Sequence, residues 1–315
     1  MRSFRSAVLG AAFLALALVG AACGGEPGGG GDGAGGETVA SQLTLGGPPE
    51  CPQRPFCIPG FKEVYGIEFG NFVPLDVGGP LTVEALAGGE IDVALLFSTD
   101  PAIEENGWVL LEDDEQLQAA ENITPVVRQE VLDPAIEERL NAISRALDTE
   151  TMTELNGRVS IGGQDPAEVA ASFLDENGLL EGPSGSGELT VGGVAFAENQ
   201  ILGEMYAQTL EDAGFSVERQ LNLESREVLQ PAIQDGQIDI APEYLSSLLL
   251  FFDPEAEASG DPQEVREALE PLLEQAGQIL LESSPAQDQN ALVVTPETAD
   301  RYGLEQTSDL AEPLE

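Results

Sequence analysis

Two stretches of the chain repeat one pattern of apolar and polar positions. Short apolar runs end on paired glycines in Leu43-Thr-Leu-Gly-Gly and again in Leu189-Thr-Val-Gly-Gly. Glu84-Ala-Leu-Ala-Gly-Gly-Glu-Ile-Asp-Val is matched by Gln230-Pro-Ala-Ile-Gln-Asp-Gly-Gln-Ile-Asp-Ile. The first pair lies 146 residues apart; the second, aligned on Ile91 and Ile238, lies 147 apart. A near-constant offset over that length marks an internal repeat. Between the matched segments each copy carries a helical pattern, a strand (68–75 or 216–223) and a second helical pattern. Each unit therefore reads strand, helix, strand, helix, strand, with loops leaving at Gly46-Gly47, Ser98-Thr99, Gly192-Gly193 and Pro242-Glu243. Such alternation predicts an α/β protein with parallel sheets. Ligands of such sheets sit beyond the carboxyl ends of the strands, and two similar lobes would enclose a cleft.

The remaining segments fit this plan. Helical periodicity covers 133–147 and 166–174. A long amphipathic helix is expected over 263–281, with Val265, Leu269, Leu272, Leu273, Ala276 and Leu280 on its apolar side. Ala291-Leu-Val-Val-Thr reads as a strand, followed by a helix over 296–302. Glu181-Gly-Pro-Ser-Gly-Ser-Gly-Glu188 reads as a linker.

The amino terminus adds an address. Arg2 and Arg5 precede an uncharged run from Ala7 to Gly20, then Gly20-Ala21-Ala22-Cys23. A basic start, a short apolar run and small residues make a secretory signal peptide over 1–22. The run is short for a membrane span. The segment resembles a bacterial lipobox, with Gly20 where leucine is usual. That resemblance implies cleavage before Cys23, lipidation of its thiol and anchoring at the outer face of the membrane. The Gly-rich stretch that follows, to residue 40, reads as a flexible tether.

Charge narrows the function. The 315 residues carry 57 acidic and 12 basic side chains and no histidine, a net charge of −45. Phosphate binding needs clustered cations, so nucleic acid is excluded as a partner, and an anionic membrane surface is a poor one. Without histidine there is no Ser-His-Asp or Cys-His catalysis; with Lys62 the only lysine, an enzyme is not expected, nor any cofactor or metal site. Loss of Arg2 and Arg5 with the signal leaves ten basic residues against 57 acidic, a mature charge of −47. This suits a protein of salty surroundings or a lineage with biased composition. Cys51 and Cys57 remain, and outside the cytoplasm they are expected as a disulfide around the Pro-rich loop that carries Arg54.

Val191-Gly-Gly-Val-Ala-Phe-Ala-Glu-Asn-Gln-Ile-Leu-Gly-Glu-Met-Tyr, Gly236-Gln-Ile-Asp-Ile-Ala-Pro-Glu-Tyr, Leu45-Gly-Gly-Pro-Pro-Glu and Leu111-Glu-Asp-Asp resemble the substrate-binding proteins of osmoprotectant ABC importers. These take up glycine betaine, choline, proline betaine and similar solutes. The resemblance spans nearly all of the mature chain. It implies a type II periplasmic-binding-protein fold, two α/β lobes that close on the solute, and an ABC permease as partner. One departure is large: the half that comes first in the family comes second here, and Asp309-Leu-Ala would normally run on into Leu43-Thr-Leu. The sequence thus reads as a circular permutant, with residues 41–118 plus 273–312 as one lobe and 119–272 as the other. A permuted monomer is expected; a rearranged chain that folds by exchange between molecules is the competing reading.

The resemblance also implies a cage of aromatic rings for a quaternary ammonium, with cationic or hydroxyl groups for a carboxylate. Tyr244 matches a cage tyrosine, and Phe97 falls where another aromatic is usual, either as cage wall or as buried strand end. Asn290 and Glu121 replace two further aromatics. Arg54 and Ser247 match carboxylate ligands, and Val194 stands where some members have lysine. Glu121 either meets an ammonium directly or is a solvated loop residue. The expected function is delivery of glycine betaine or a related zwitterion to a permease. The alternatives are a binding protein for an amino acid or other amine and a sensor lipoprotein without a transport role.

Overall fold

The structure, a computed structural model, describes residues 37–76 and 78–314. The signal peptide, Cys23 and most of the tether lie outside the described residues. Among the described residues ten strands form two five-stranded sheets. The first holds β1 (Thr44–Gly47), β2 (Asn71–Pro74), β3 (Val93–Phe97), β4 (Val109–Leu110) and β10 (Asn290–Val294) in the order β2-β1-β3-β10-β4. The second holds β5 (Ile123–Arg128), β6 (Glu188–Val194), β7 (Ser216–Leu223), β8 (Ile240–Tyr244) and β9 (Gln278–Leu280) in the order β7-β6-β8-β5-β9.

The repeat is physical. Gly46 and Gly192 take the same place in the two sheets: a Cβ on Gly46 would lie 2.4 Å from Ile91, and one on Gly192 2.6 Å from Ile238. The aspartate after each isoleucine accepts from the first strand of its sheet. Asp92 Oδ2 takes the Thr44 N–H at 2.9 Å, and Asp239 Oδ2 takes the Thr190 N–H at 2.8 Å.

The sheets are mixed rather than wholly parallel. β1 runs parallel to β2 and β3, and β6 runs parallel to β7 and β8. The antiparallel strand in each sheet arrives from the other sheet. After β4 the chain crosses to β5, antiparallel to β8; after β9 it returns to β10, antiparallel to β3. The two crossing segments pair with each other. Asn122 and Gln287 form an antiparallel bridge, Ile123 N–H donates to Ala286 O at 3.0 Å, and Asp288 N–H donates to Glu121 O at 3.1 Å.

Three expectations are corrected. The helix expected over 263–281 is Pro262–Gln275, because Gly277 takes the left-handed conformation (φ 72°) that ends a helix. Leu280 lies instead in β9, so the crossing back to the first sheet falls between Leu280 and Asn290 and not at 273. Pro242 and Glu243 lie within β8 rather than in a loop; Pro242 faces Pro125 of β5. Arg128 N–H bonding to Asp239 O sets the hydrogen-bonded pairs at alternate positions and puts the two prolines between them.

Acidic residues suit the helix starts. Asp-Pro opens helices at Pro101, Pro134, Pro166 and Pro262, with each aspartate accepting a backbone N–H of the first turn and proline fixing the first helical φ. The 181–188 segment is tied down. Arg139, 3% exposed, donates to the carbonyls of Leu180, Gly182 and Pro183, and Gly185 N–H donates to Ala213 O. The two ends of the described chain also meet: Thr38 bridges Pro313, Val39 N–H donates to Glu312 O, and Leu314 N–H donates to Glu37 O.

Cys51 and Cys57 form a disulfide, with Cα atoms 5.3 Å apart, inside the apolar cluster around Leu45, Leu95 and Phe61. Closing so short a loop restrains the unfolded chain by about 2 kcal/mol. Serine at both positions is expected to lower the denaturation midpoint correspondingly. A reductant should lower the wild-type midpoint and leave that of the variant unchanged.

Candidate functional site

The carboxyl ends of β3 and β8 face a cavity of about 440 Å³. Phe97 ends β3, and Tyr244 ends β8 just before the helix Leu245–Phe252. The first turn of that helix supplies Ser247. Arg54 comes from the disulfide loop, Glu121 from one crossing segment and Asn290 from the start of β10. All six residues singled out for ligand binding line this one cavity, with Val194 beside them.

Sequence reasoning missed Phe56, Phe196, Arg226 and Asp288, which line it too. Phe196 and Tyr244 stack with ring centroids 6.3 Å apart and an interplanar angle of 30°. Phe196 is 42% exposed and Phe97 37% exposed, so two large apolar rings stand open to the cavity. The signal for Phe196 was its place between β6 and the following helix. For Arg226 it was scarcity, since each of the few arginines in so acidic a chain needs a reason.

The polar wall is a set of carboxylates with different partners. Glu121 accepts from Ser247 twice, at 2.6 Å from Oγ and 3.1 Å from the backbone N–H. Glu121 is thus partly buried and held, not a solvated loop residue. Burial outweighs those donors and raises its pKa from 4.5 to about 7. Asp288 Oδ1 accepts from Thr99 Oγ1 at 2.8 Å. Burial, followed by the nearby charge of Glu198, raises the pKa of Asp288 from 3.8 to about 8. Glu198 itself is buried, and burial raises its pKa also, against donors from Asn156 and from the Tyr244 hydroxyl, each at 2.8 Å.

The two arginines differ. Arg226 is engaged by Glu243 at 2.8 and 2.9 Å, and Gln230 completes the far side of that carboxylate at 2.8 Å. Arg54 makes only a 3.8 Å contact with Glu50 among the described residues. Its guanidinium is the cavity cation that stays available for an incoming carboxylate. Asn290 is occupied with Gln118, which in turn holds the Phe56 carbonyl. The arrangement offers aromatic faces and acids to a cation and one arginine to an anion. Among the described residues no cluster of three or more His, Cys, Asp or Glu is placed to hold a metal ion.

The family model for the substrate-binding domain of ABC-type glycine betaine transport systems matches residues 36–176 and 187–315. A glycine-betaine-binding protein of Pseudomonas aeruginosa is 35% identical over 44% of this chain and 46% of its own length. The carnitine transport binding protein OpuCC of Listeria monocytogenes is 32% identical over 39% and 40%, and the glycine betaine-binding protein YehZ of Escherichia coli is 29% identical over 40% and 44%. The chain thus spans less than half the length of these relatives. Among solved structures, a glycine betaine/carnitine/choline ABC transporter protein is 28% identical over 45% of this chain and 52% of its own, with a TM-score of 0.39. On the strength of the family match across two segments that take in most of its residues, the chain belongs to the substrate-binding proteins of glycine betaine ABC importers.

Proposed function

We propose that this protein captures a glycine-betaine-like osmolyte outside the cytoplasm and hands it to an ABC permease. The observation that carries this reading is the meeting of Tyr244, Phe97, Phe196 and Phe56 with Arg54 in one cavity where strands of both sheets end. Aromatic faces attract a quaternary cation that has no N–H to offer. The unengaged guanidinium of Arg54 suits the carboxylate at the other end of the zwitterion. Two lobes joined by a pair of hydrogen-bonded crossing segments can close about that seam, and the permease would read the closed form. Lipidation of Cys23 would hold the protein at the outer face of the membrane.

The chain is a circular permutant in this reading. Residues to about 118 and from about 289 make one lobe, and the residues between make the other. Three observations support it. The first and last segments of the described residues are hydrogen-bonded neighbours. The family model breaks across 177–186, where the linker lies. The relatives align over 39–44% of the chain, as expected when only one half can be matched in order.

Calorimetry with a panel of osmolytes on the mature protein tests the assignment. Arg54→Ala and Tyr244→Ala should each weaken binding by roughly tenfold or more. Unchanged affinity in both variants would remove the cleft as the solute site.

A further inference from the structure

We propose that Glu121 and Asp288 act as counter-ions to the quaternary nitrogen of the solute, so that charge supplies what the rings of this cleft do not; the inference rests on the cleft being the solute site. The rings lining the cavity are three phenylalanines and one tyrosine: Phe56, Phe97, Phe196 and Tyr244. Tryptophan gives a cation the strongest ring face, but Trp108, the single tryptophan of the chain, packs against the apolar cluster around Leu86 and Leu96. Two carboxylates share the cavity with the rings. Glu121 and Asp288 sit at paired positions of the crossing segments, where Asp288 N–H donates to Glu121 O at 3.1 Å. Ser247 fixes the Glu121 carboxylate through both oxygens. Thr99 holds Asp288 through Oδ1, while Oδ2 accepts no hydrogen bond among the described residues.

A trimethylammonium group has no N–H, yet it carries a full positive charge spread over its methyl groups. A carboxylate oxygen about 4 Å from the nitrogen attracts it without a hydrogen bond, and more strongly once closure has expelled water. The cavity arginines leave both acids available for this pairing. Glu243 engages Arg226, and Arg54, with only its 3.8 Å contact to Glu50 among the described residues, is left for the solute carboxylate. A zwitterion then meets opposite charge at each of its ends.

Proton exchange follows from the same pairing. Around Glu121 stand Ser247, Arg226 and Glu243; around Asp288 stand Thr99, Glu198, Glu121, Asp100 and Tyr244. Burial raises the pKa of Glu121 to about 7, and burial followed by the charge of Glu198 raises that of Asp288 to about 8. Near neutral pH each therefore carries a proton part of the time. A cation settling beside them favours the ionised forms and sends those protons to solvent. Affinity for the cation strengthens as pH rises toward about 8 and levels off above it.

The test compares glycine betaine with 3,3-dimethylbutanoate, which has the same shape and carboxylate but carbon in place of the charged nitrogen. Each is titrated into the mature wild-type protein by calorimetry between about pH 6 and about pH 9, in buffers of different ionisation heat. Glycine betaine should bind roughly tenfold or more tightly at the alkaline end, with net proton release at neutral pH. Dimethylbutanoate should show no such gain, because it brings no cation to the acids. Ring faces do not titrate, so attraction by the rings alone predicts a flat profile. In Glu121→Gln and Asp288→Asn the preference for betaine over its analogue should shrink and the proton release should fall. A flat or falling profile for glycine betaine, or a preference and proton release that persist in both variants, would overturn the inference and leave the cleft assignment standing. If Arg54→Ala and Tyr244→Ala leave both affinities unchanged, the cleft assignment falls and takes the inference with it. The wild-type profile for glycine betaine decides the matter alone should a variant fail to fold or the analogue bind too weakly to read.

Discussion

Arg139→Ala is expected to cost about 3–5 kcal/mol of folding stability, read as a lowered denaturant midpoint with little change of slope. Arg139 is buried, yet its guanidinium serves the carbonyls of Leu180, Gly182 and Pro183 and reaches Asp212 Oδ2 at 3.2 Å. Alanine would leave three carbonyls without that donor and open a void beside the helix Pro134–Ala146. Lysine cannot repair the loss, since one ammonium on a flexible stem does not span the planar fork. Such a cost is a large share of the 5–15 kcal/mol typical of a whole domain. A variant that melted with the wild type would show that the 181–188 segment holds itself without Arg139.

The second large effect is on pH. Glu121, Asp288 and Glu198 all have raised pKa values in the folded protein. In the unfolded chain each ionises in the ordinary carboxylate range. Between that range and about pH 8 the folded state therefore binds more protons than the unfolded one, and stability falls as pH rises. Each unit of raised pKa is worth about 1.4 kcal/mol, so several kcal/mol are lost across the window. Thermal scans without solute should give the highest midpoint in mild acid and a steady decline toward about pH 9. Glu121→Gln with Asp288→Asn should flatten that decline. A midpoint that climbs with pH over the same range would contradict these raised values.

The repeat was legible because it does the same work twice. Gly46 and Gly192 admit Ile91 and Ile238, and Asp92 and Asp239 each hold the first strand of their sheet. Such constraints fall on fixed positions in a local pattern, and pattern is what a sequence displays. The mixed character of the sheets was not legible, since β5 and β10 owe their places to partners brought in from across the molecule. The end of the helix at Gln275 was missed because Ala276 and Leu280 continued the apolar spacing, while a single glycine at 277 decided the backbone. At the site, Arg54, Phe97 and Tyr244 could be found from the motifs around them. Asp288 could not. Its neighbours Thr99 and Glu198 lie far from it in sequence, and only the crossing of the two segments puts them in reach. Half-buried Phe56 and exposed Phe196 were hidden for the same reason, as a ring in a cavity wall gains meaning only from what stands opposite.

The contact between the first and last described residues has a mechanical consequence. Glu37 to Val39 and Glu312 to Leu314 clasp one another, so the polypeptide is fastened like a belt, with its buckle beside the first sheet. Opening at either segment becomes a shared event: residues 37–39 do not peel from the fold until 312–314 let go.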